Sequence, residues 1–261
     1  MATEPAGREF EDRVVLVTGG GGSCIGGPTA LRFAQEGASV VICDLHERRN
    51  REMAEQIRKD TGAKVIAFHL DIADRPKVDL MIAETERELG RVDVLVCNAA
   101  ENKLGHMVDY DPANWDRTID VSLSANFYLA RKVLPGMVAR RRGNIVNIAS
   151  VAGWIGNPNE EEGEPAYSVA KAGLLALTRN IAHEVGPHGV RCNAVAPGLI
   201  WSRFVEKFQA QFQPLLEETP LRSFGRSEDV VEAILFLASD KRSRFITGEA
   251  LNVSGGWYMR P

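Results

Sequence analysis

Tyr167 and Lys171, in Tyr167-Ser168-Val169-Ala170-Lys171, are four residues apart, the spacing that puts two side chains on one helix face about a turn apart. With an ordinary pKa near ~10, tyrosine is a poor acid-base group at neutral pH, but a neighbouring ammonium stabilises its phenolate. Such a pair can exchange a proton with an alcohol. Alone, Tyr-x-x-x-Lys occurs by chance in many helices. A second pattern stands near the start of the chain, in Thr18-Gly19-Gly20-Gly21-Gly22-Ser23-Cys24-Ile25-Gly26-Gly27-Pro28. Glycines let a backbone approach a pyrophosphate, and first-turn N–H groups with the helix dipole stabilise its charge. A flexible turn also looks like this; the position between a strand and a helix favours the dinucleotide reading. Asp44, closing the next apolar run, can accept hydrogen bonds from both hydroxyls of an adenosine ribose and would repel a 2′-phosphate, which implies NAD. Its alternative is a helix N-cap. His46, Arg48 and Arg49 follow and leave room for NADP.

The elements that must position these groups are legible as alternating apolar runs and amphipathic segments. Seven strands are predicted at Val14 to Thr18, Val40 to Asp44, Lys64 to Asp71, Val92 to Asn98, Gly143 to Ser150, Arg191 to Pro197 and Ala250 to Val253. Helical spacing predicts Pro28 to Glu36, Arg48 to Lys59, Lys77 to Leu89, Pro112 to Arg141, Ala166 to Val185 and Ser227 to Ala238, with Pro135 and Gly136 ending or kinking the fourth. Near-continuous apolar strands imply a parallel sheet covered on both faces, a three-layer α/β sandwich. One domain over residues 1–261 is expected, with residues 1–12 as an N-terminal tail and 199–224 as a substrate-covering loop with short helices.

Hydrophobic residues make up 44% of the chain and charged ones 25%, and the formal charge is −4, so no large single-sign field invites nucleic acid. The polar start and the lack of a long apolar stretch predict no membrane span and a cytoplasmic protein. The four cysteines (Cys24, Cys43, Cys97, Cys192) and five histidines are scattered without the paired spacing of a metal site, so no metal is expected and the thiols read as structural.

Taken together, the motifs make the chain resemble the short-chain dehydrogenase/reductase family from Arg13 to Tyr258. They are the glycine loop, Asp71, Asn98-Ala99-Ala100, Asn147-Ile148-Ala149-Ser150, the Tyr167 to Lys171 segment, Pro197-Gly198-Leu199-Ile200 and Thr247 to Gly256. The resemblance implies a Rossmann-type doubly wound fold and an NAD(H)-dependent oxidoreductase that interconverts a secondary alcohol and its ketone by hydride transfer. It makes Tyr167 the general acid or base, Lys171 the group that lowers its pKa and holds the nicotinamide ribose, and Ser150 a preorganised donor to the substrate oxygen. Among the implied cofactor residues are Gly19, Ser23, Cys24, Ile25 and Gly26 in the loop, then Asp44 and Leu45. Asp71 and Ile72 would face adenine, Asn98 and Ala99 the ribose, and Ile200 and Ser202 the carboxamide, with Pro197 and Gly198 alongside. A homotetramer joined through the fourth and fifth helices and the last strand is also implied.

The chain departs from that family's pattern in four places. The glycine loop is longer, and Cys24 stands where a middle glycine is expected, so its Cβ should crowd the phosphate path. Ser122, in Asp120-Val121-Ser122-Leu123, aligns with a fourth catalytic asparagine; a serine can support an ordered water, and Asn126 one turn on can substitute. Ala100 replaces a glycine. The stretch Asn157 to Pro165 lengthens the Ser150 to Tyr167 interval and is acidic, either a solvated loop or a lid or subunit contact that narrows the entrance.

The substrate pocket is expected from Lys103, His106, Trp154, Trp201, Arg203 and Phe204, joined by Trp257; the aromatic walls suit a ring or acyl chain, and Lys103 and Arg203 an anionic group. A cyclic alcohol, a sugar and a hydroxyacyl thioester all fit the scaffold. A lyase or isomerase using the cofactor for transient oxidation would need an additional substrate domain, which the few residues after the last strand do not supply. A non-catalytic dinucleotide sensor would not need Ser150, Tyr167 and Lys171 together.

Overall fold

The computed structural model describes residues 8–156, 163–207 and 209–259. Seven strands, β1 (Val14–Thr18), β2 (Ser39–Asp44), β3 (Val65–His69), β4 (Val94–Cys97), β5 (Gly143–Ile148), β6 (Val190–Pro197) and β7 (Ala250–Val253), form one sheet in the order β3-β2-β1-β4-β5-β6-β7. All pairings are parallel. The chain winds outward from β1 in one direction, then returns to start β4 on its other side. The crevice at the carboxyl ends of β1 and β4 is therefore the topological switch point, where ligands of open α/β sheets bind.

Alternation along each strand sends residues to opposite faces. Val15, Val17, Val40, Ile42, Val94 and Val96 pack against α1 (Gly26–Gln35) and α10 (Ser227–Ala238) through Phe33, Val230 and Ile234. Val14, Leu16, Val41, Cys43 and Leu95 face the opposite layer, where Met81 of α3 (Arg75–Glu88), Leu129 of α5 (Ala125–Ala139) and Ile181 of α7 (Pro165–Val185) complete the second core. Helix α2 (Glu47–Thr61) packs beside β2 and β3 and completes the cover at that edge of the sheet.

Several expectations need correction. Strands β3, β4 and β5 stop two, one and two residues early respectively, so Asp71, Asn98 and Ser150 lie just past them, in the loops that fan out at the carboxyl edge. The long fourth helix is α4 (Pro112–Ile119), a π-helical turn over Asp120–Ser124, and α5. The irregularity sits at that turn, where the Ala125 N–H reaches the Asp120 carbonyl, and not at Pro135, which α5 runs through to Ala139. Pro135 is exposed, so water can serve the carbonyl that its missing N–H leaves free.

The N-terminal segment is also more than a tail. Phe10 is 3% exposed, its ring sits edge-on 4.7 Å from Phe33, and its N–H donates to the Glu36 carbonyl at 2.9 Å. A short α6 (Ala152–Ile155), absent from the sequence reading, follows β5. The region expected as a covering loop with short helices does hold two, α8 (Arg203–Lys207) and α9 (Gln209–Glu218). Its two ends are pinned by Trp201 N–H to Gly225 O (2.8 Å) and Gly225 N–H to Leu199 O (2.9 Å). Among the described residues, no helix is long and apolar enough to cross a membrane.

Candidate functional site

The glycine loop leaves β1 and enters α1 within a few residues. Gly19 adopts φ +65°, and a Cβ on Gly26 would lie 2.2 Å from the Gly19 carbonyl oxygen, so the loop folds on itself too closely for a side chain there. Neighbouring strands lock it. The Thr18 hydroxyl accepts the N–H groups of Asn98 (2.9 Å) and Ala99 (3.0 Å), while the Asn98 amide donates to Thr18 O at 2.9 Å. Asp44 accepts the Gly21 N–H (3.1 Å) through one oxygen and the His46 N–H (2.8 Å) through the other. The N-cap position of α2 belongs to His46, so Asp44 braces the phosphate loop and does not cap the helix. Burial pushes its carboxyl up, opposed by the Arg49 charge and the backbone donors.

A cavity of about 500 Å³ opens at this switch point and gathers Gly19, Asp44, Leu45, Asp71, Ile72, Asn98 and Ala99, seven residues expected to touch the cofactor. Arg117 of α4, which no motif marked, also lines it; its guanidinium pairs with Asp71 (2.7 Å) and Glu101 (2.9 Å). Ser23 is exposed in the loop. The Cys24 thiol points across to the Trp201 carbonyl at 3.8 Å, and burial pushes it up. Ile25 packs partly buried against the core.

Other expected cofactor residues lie elsewhere. Gly198 donates its N–H to Val253 O (3.0 Å), and a Cβ on it would meet Ser254 at 2.7 Å. Pro197 ends β6 opposite Val253. Ile200 lines a second cavity of about 750 Å³, walled by Phe224, Val253 and Tyr258. Ser202 accepts the Val205 N–H (3.2 Å), starting α8. The structure thus brings the adenosine-side residues into one cavity and leaves the residues after β6 along a separate wall.

Tyr167 and Lys171 stand on α7, with the ammonium nitrogen 5.3 Å from the centre of the phenol ring. The Ser150 hydroxyl is close enough to act on the Tyr167 phenol, favouring its ionised form. Ser150 also accepts the Ala152 N–H (3.1 Å), which fixes it at the start of α6. Gly153 permits this arrangement, because a Cβ there would lie 2.8 Å from the Lys171 backbone carbon. Lys171 is 2% exposed, donates to the Ile148 carbonyl at 2.6 Å, and is pushed down to about 8 by burial. The Tyr167 phenol is held above its ordinary value, first by burial and then by the charge of Glu164; the Ser150 hydroxyl opposes this. The lowering expected of Lys171 is thus not the net result here, because the lysine's own ammonium is committed to a carbonyl and weakened by desolvation.

Ser122 does not face these groups as a free hydroxyl: it donates to Glu101 O (3.1 Å) and accepts Glu101 N–H (3.0 Å), stapling the loop after β4. Asn126 donates to Ser122 O at 3.0 Å and keeps its amide oxygen buried without a partner among the described residues. Lys103, expected as a free cation for substrate, pairs with Glu101 at 3.3 Å. Trp154 stacks on Tyr258 (4.9 Å) and Trp201 meets Phe224 edge-on (5.3 Å), so Tyr258, and not Trp257, joins the aromatic wall. His106 is exposed. The side chains of Arg203 and Phe204, and residues 157–162 of the acidic stretch, lie outside the described residues. The end of that stretch turns inward: Gly163 O accepts the Gly105 N–H (2.9 Å), and Glu164 accepts the Asn102 amide (2.6 Å). Glu164 had no motif to reveal it; its acidity and the three-residue interval to Tyr167 were the only signals.

A doubly wound parallel sheet whose switch-point crevice begins in a self-packed glycine loop is a Rossmann-type nucleotide-binding architecture. The comparisons carry this further. A family model described as enoyl-(acyl carrier protein) reductase matches residues 20–258. The chain is 40% identical to the (2S)-[(R)-hydroxy(phenyl)methyl]succinyl-CoA dehydrogenase subunit BbsD of Thauera aromatica, over 95% of this chain and 97% of that one. It is 36% identical to the 3-oxoacyl-[acyl-carrier-protein] reductase FabG of Thermotoga maritima, over 95% and 98%. A short-chain type dehydrogenase/reductase from Mycobacterium marinum superposes with a TM-score of 0.89 at 29% identity, covering 97% of this chain and 98% of that one. An NAD⁺-bound xylitol dehydrogenase gives 0.89 at 27% identity, covering 95% and 100%. The chain belongs to the short-chain dehydrogenase/reductase family and is an oxidoreductase of it.

Proposed function

We propose that the protein is an NAD(H)-dependent dehydrogenase or ketone reductase acting on a secondary alcohol. The observation that carries this reading is the placement of Lys171 one turn along α7 from Tyr167, its ammonium nitrogen 5.3 Å from the centre of the phenol ring, with the Ser150 hydroxyl acting on the same phenol. The cradle fits a dinucleotide: the loop packs too tightly for a Cβ at Gly26, and Asp44 reaches the cavity with acceptor capacity left beyond its two backbone donors. Gly19 to Gly26 would hold the pyrophosphate and Asp44 the adenosine ribose. A nicotinamide bound there supplies the acceptor for a hydride from the alcohol, or the donor of one to the ketone.

The chain's own groups manage the proton. In oxidation, Tyr167 as phenolate takes the alcohol O–H proton while Ser150 donates to the same oxygen and orients it. In reduction, the phenol gives that proton back. Lys171, pushed down to about 8, loses its charge before a phenol held above its ordinary value ionises, so the ammonium does not offset the raised phenol. Oxidation should therefore need alkaline pH to ionise a raised phenol, and reduction should not. Phe127 and Val169, half-exposed on α5 and α7, support a homotetramer built on those helices.

The test is NADH formation from a panel of cyclic alcohols, polyols and hydroxyacyl thioesters. Tyr167→Phe is expected to cost roughly 10² to 10⁴-fold in rate. Turnover that survives in Tyr167→Phe would remove the tyrosine from this role.

A further inference from the structure

Glu164 belongs to the acidic stretch, yet it is half-buried where that stretch enters the catalytic helix. Its carbonyl accepts the Ser168 N–H at 3.0 Å and so begins α7, but its side chain makes no cap hydrogen bond. The carboxylate instead spans toward the loop after β4, where one oxygen takes the Asn102 amide at 2.6 Å. The second oxygen has no hydrogen-bond partner among the described residues. Asn102 follows directly on Ala100 and Glu101, which line the 500 Å³ cavity, so its bond to Glu164 ties the start of the catalytic helix to the loop that walls the cofactor side. Its charge is felt by both catalytic groups: it holds the Tyr167 phenol up and supports the Lys171 ammonium.

A purely structural tether would explain the Asn102 bond. The same two segments are already joined through the backbone, however, by Gly105 N–H to Gly163 O. The tether therefore does not need a carboxylate, and a carboxylate with one oxygen lacking a hydrogen-bond partner among the described residues is costly to hold half-buried beside a general base unless something uses it. A carboxylate accepts hydrogen bonds only, and it repels anions.

We propose that Glu164 is a specificity-determining residue that receives a hydrogen-bond donor, a hydroxyl or an ammonium, on the substrate carbon next to the one oxidised. The favoured substrate class is then vicinal diols and amino alcohols, and a carboxylate at that carbon is rejected. This rests on the alcohol-ketone reading above.

The experiment compares cyclohexanol, trans-cyclohexane-1,2-diol, trans-2-aminocyclohexanol and 2-hydroxycyclohexanecarboxylate in the wild type, Glu164→Gln and Glu164→Asp. Glutamine keeps the shape and can keep the Asn102 bond, but loses the charge. The readout is the ratio of kcat/KM for each compound to that for cyclohexanol, in which any common change in Tyr167 ionisation cancels. For a compound that is not turned over, its dissociation constant from the enzyme–NADH complex supplies the ratio. The wild type is expected to favour the diol or the amino alcohol by about 10- to 100-fold, mainly through KM, with the preference lost in Gln, partly restored in Asp, and the carboxylate gaining in Gln. Selective loss for the amino alcohol identifies the ammonium as the recognised donor, and equal loss for both identifies the hydroxyl class as well. Identical ratios in wild type and Glu164→Gln would overturn the proposal. Failure of the alcohol-ketone reading looks different: no Tyr167-dependent hydride transfer with any compound, whatever the binding ratios.

Discussion

The Thr18 hydroxyl sits at 0% exposure where β1, β4 and the glycine loop meet, and it carries two backbone donors from the neighbouring loop at 2.9 and 3.0 Å. Valine has nearly its shape and none of its hydrogen-bonding capacity. Thr18→Val should therefore leave the Asn98 and Ala99 N–H groups without a partner and cost about 1–3 kcal/mol for each that stays unsatisfied. Urea denaturation of Thr18→Val beside Thr18→Ser checks this, with serine expected to recover most of the loss and cofactor affinity to follow the same order. At this scale the sequence was informative where a residue type has one chemical use. Asp44, Tyr167, Lys171 and Ser150 were legible because acid, phenol, ammonium and hydroxyl each imply a task at their positions. Arg117, Glu164 and Gly153 were not. Their meaning lies in what they meet, namely Asp71, Asn102 and the Lys171 backbone, and no local pattern encodes a contact between distant segments. Ser122 shows what the motif does not carry: its place implies a catalytic role, and only the contacts reveal the staple it makes to Glu101.

Between residue and fold, the N-terminal segment shows what hydrophobic pattern alone misses. Residues 8–12 have no periodicity, so the sequence reads as a tail, yet Phe10 fills a gap against Phe33 of α1 and its backbone pairs with Glu36 at the end of that helix. Phe10→Ala should destabilise the protein by about 3 kcal/mol, near the lower end of the range for a buried phenylalanine, since a terminal segment can relax into the space left. Equilibrium urea unfolding measures it; a change below about 0.5 kcal/mol, the size of an ordinary surface substitution, would mean that the segment is not docked. The strands were readable because burial on both faces produces unbroken apolar runs, and β1 and β7 have the expected limits. Strands β3 and β5 ended early because the apolar run continues past the last paired residue into loops that are themselves buried, as at Leu70 and Ala149. The π turn at Asp120–Ser124 had no sequence marker comparable to Pro135, so the break was assigned to the proline.

For the molecule as a whole, the switch-point crevice ties cofactor binding to global stability. Its walls come from the ends of β1, β2, β3 and β4 with α4 alongside, so a ligand there joins elements from both halves of the sheet and is lost on unfolding. Linkage then sets the size of the effect. A ligand at 100 times its dissociation constant stabilises the folded state by about 2.7 kcal/mol, which for a chain of this length raises Tm by roughly 5–10 °C. If Asp44 receives the adenosine ribose as proposed, NAD should produce a shift of that size, and NADP at the same concentration a smaller one, because a buried negative charge would then face the 2′-phosphate. Asp44→Asn keeps the size of the side chain and one acceptor oxygen, so the glycine loop keeps one of its braces while the repulsion goes. In that variant the NAD shift should shrink and the NADP shift should grow, measured by thermal unfolding with each cofactor in turn. Arg49 lines the same cavity and provides the opposing pull. Equal shifts with both cofactors in the wild type would mean that Arg49 outweighs Asp44, and the assignment to NAD would fall.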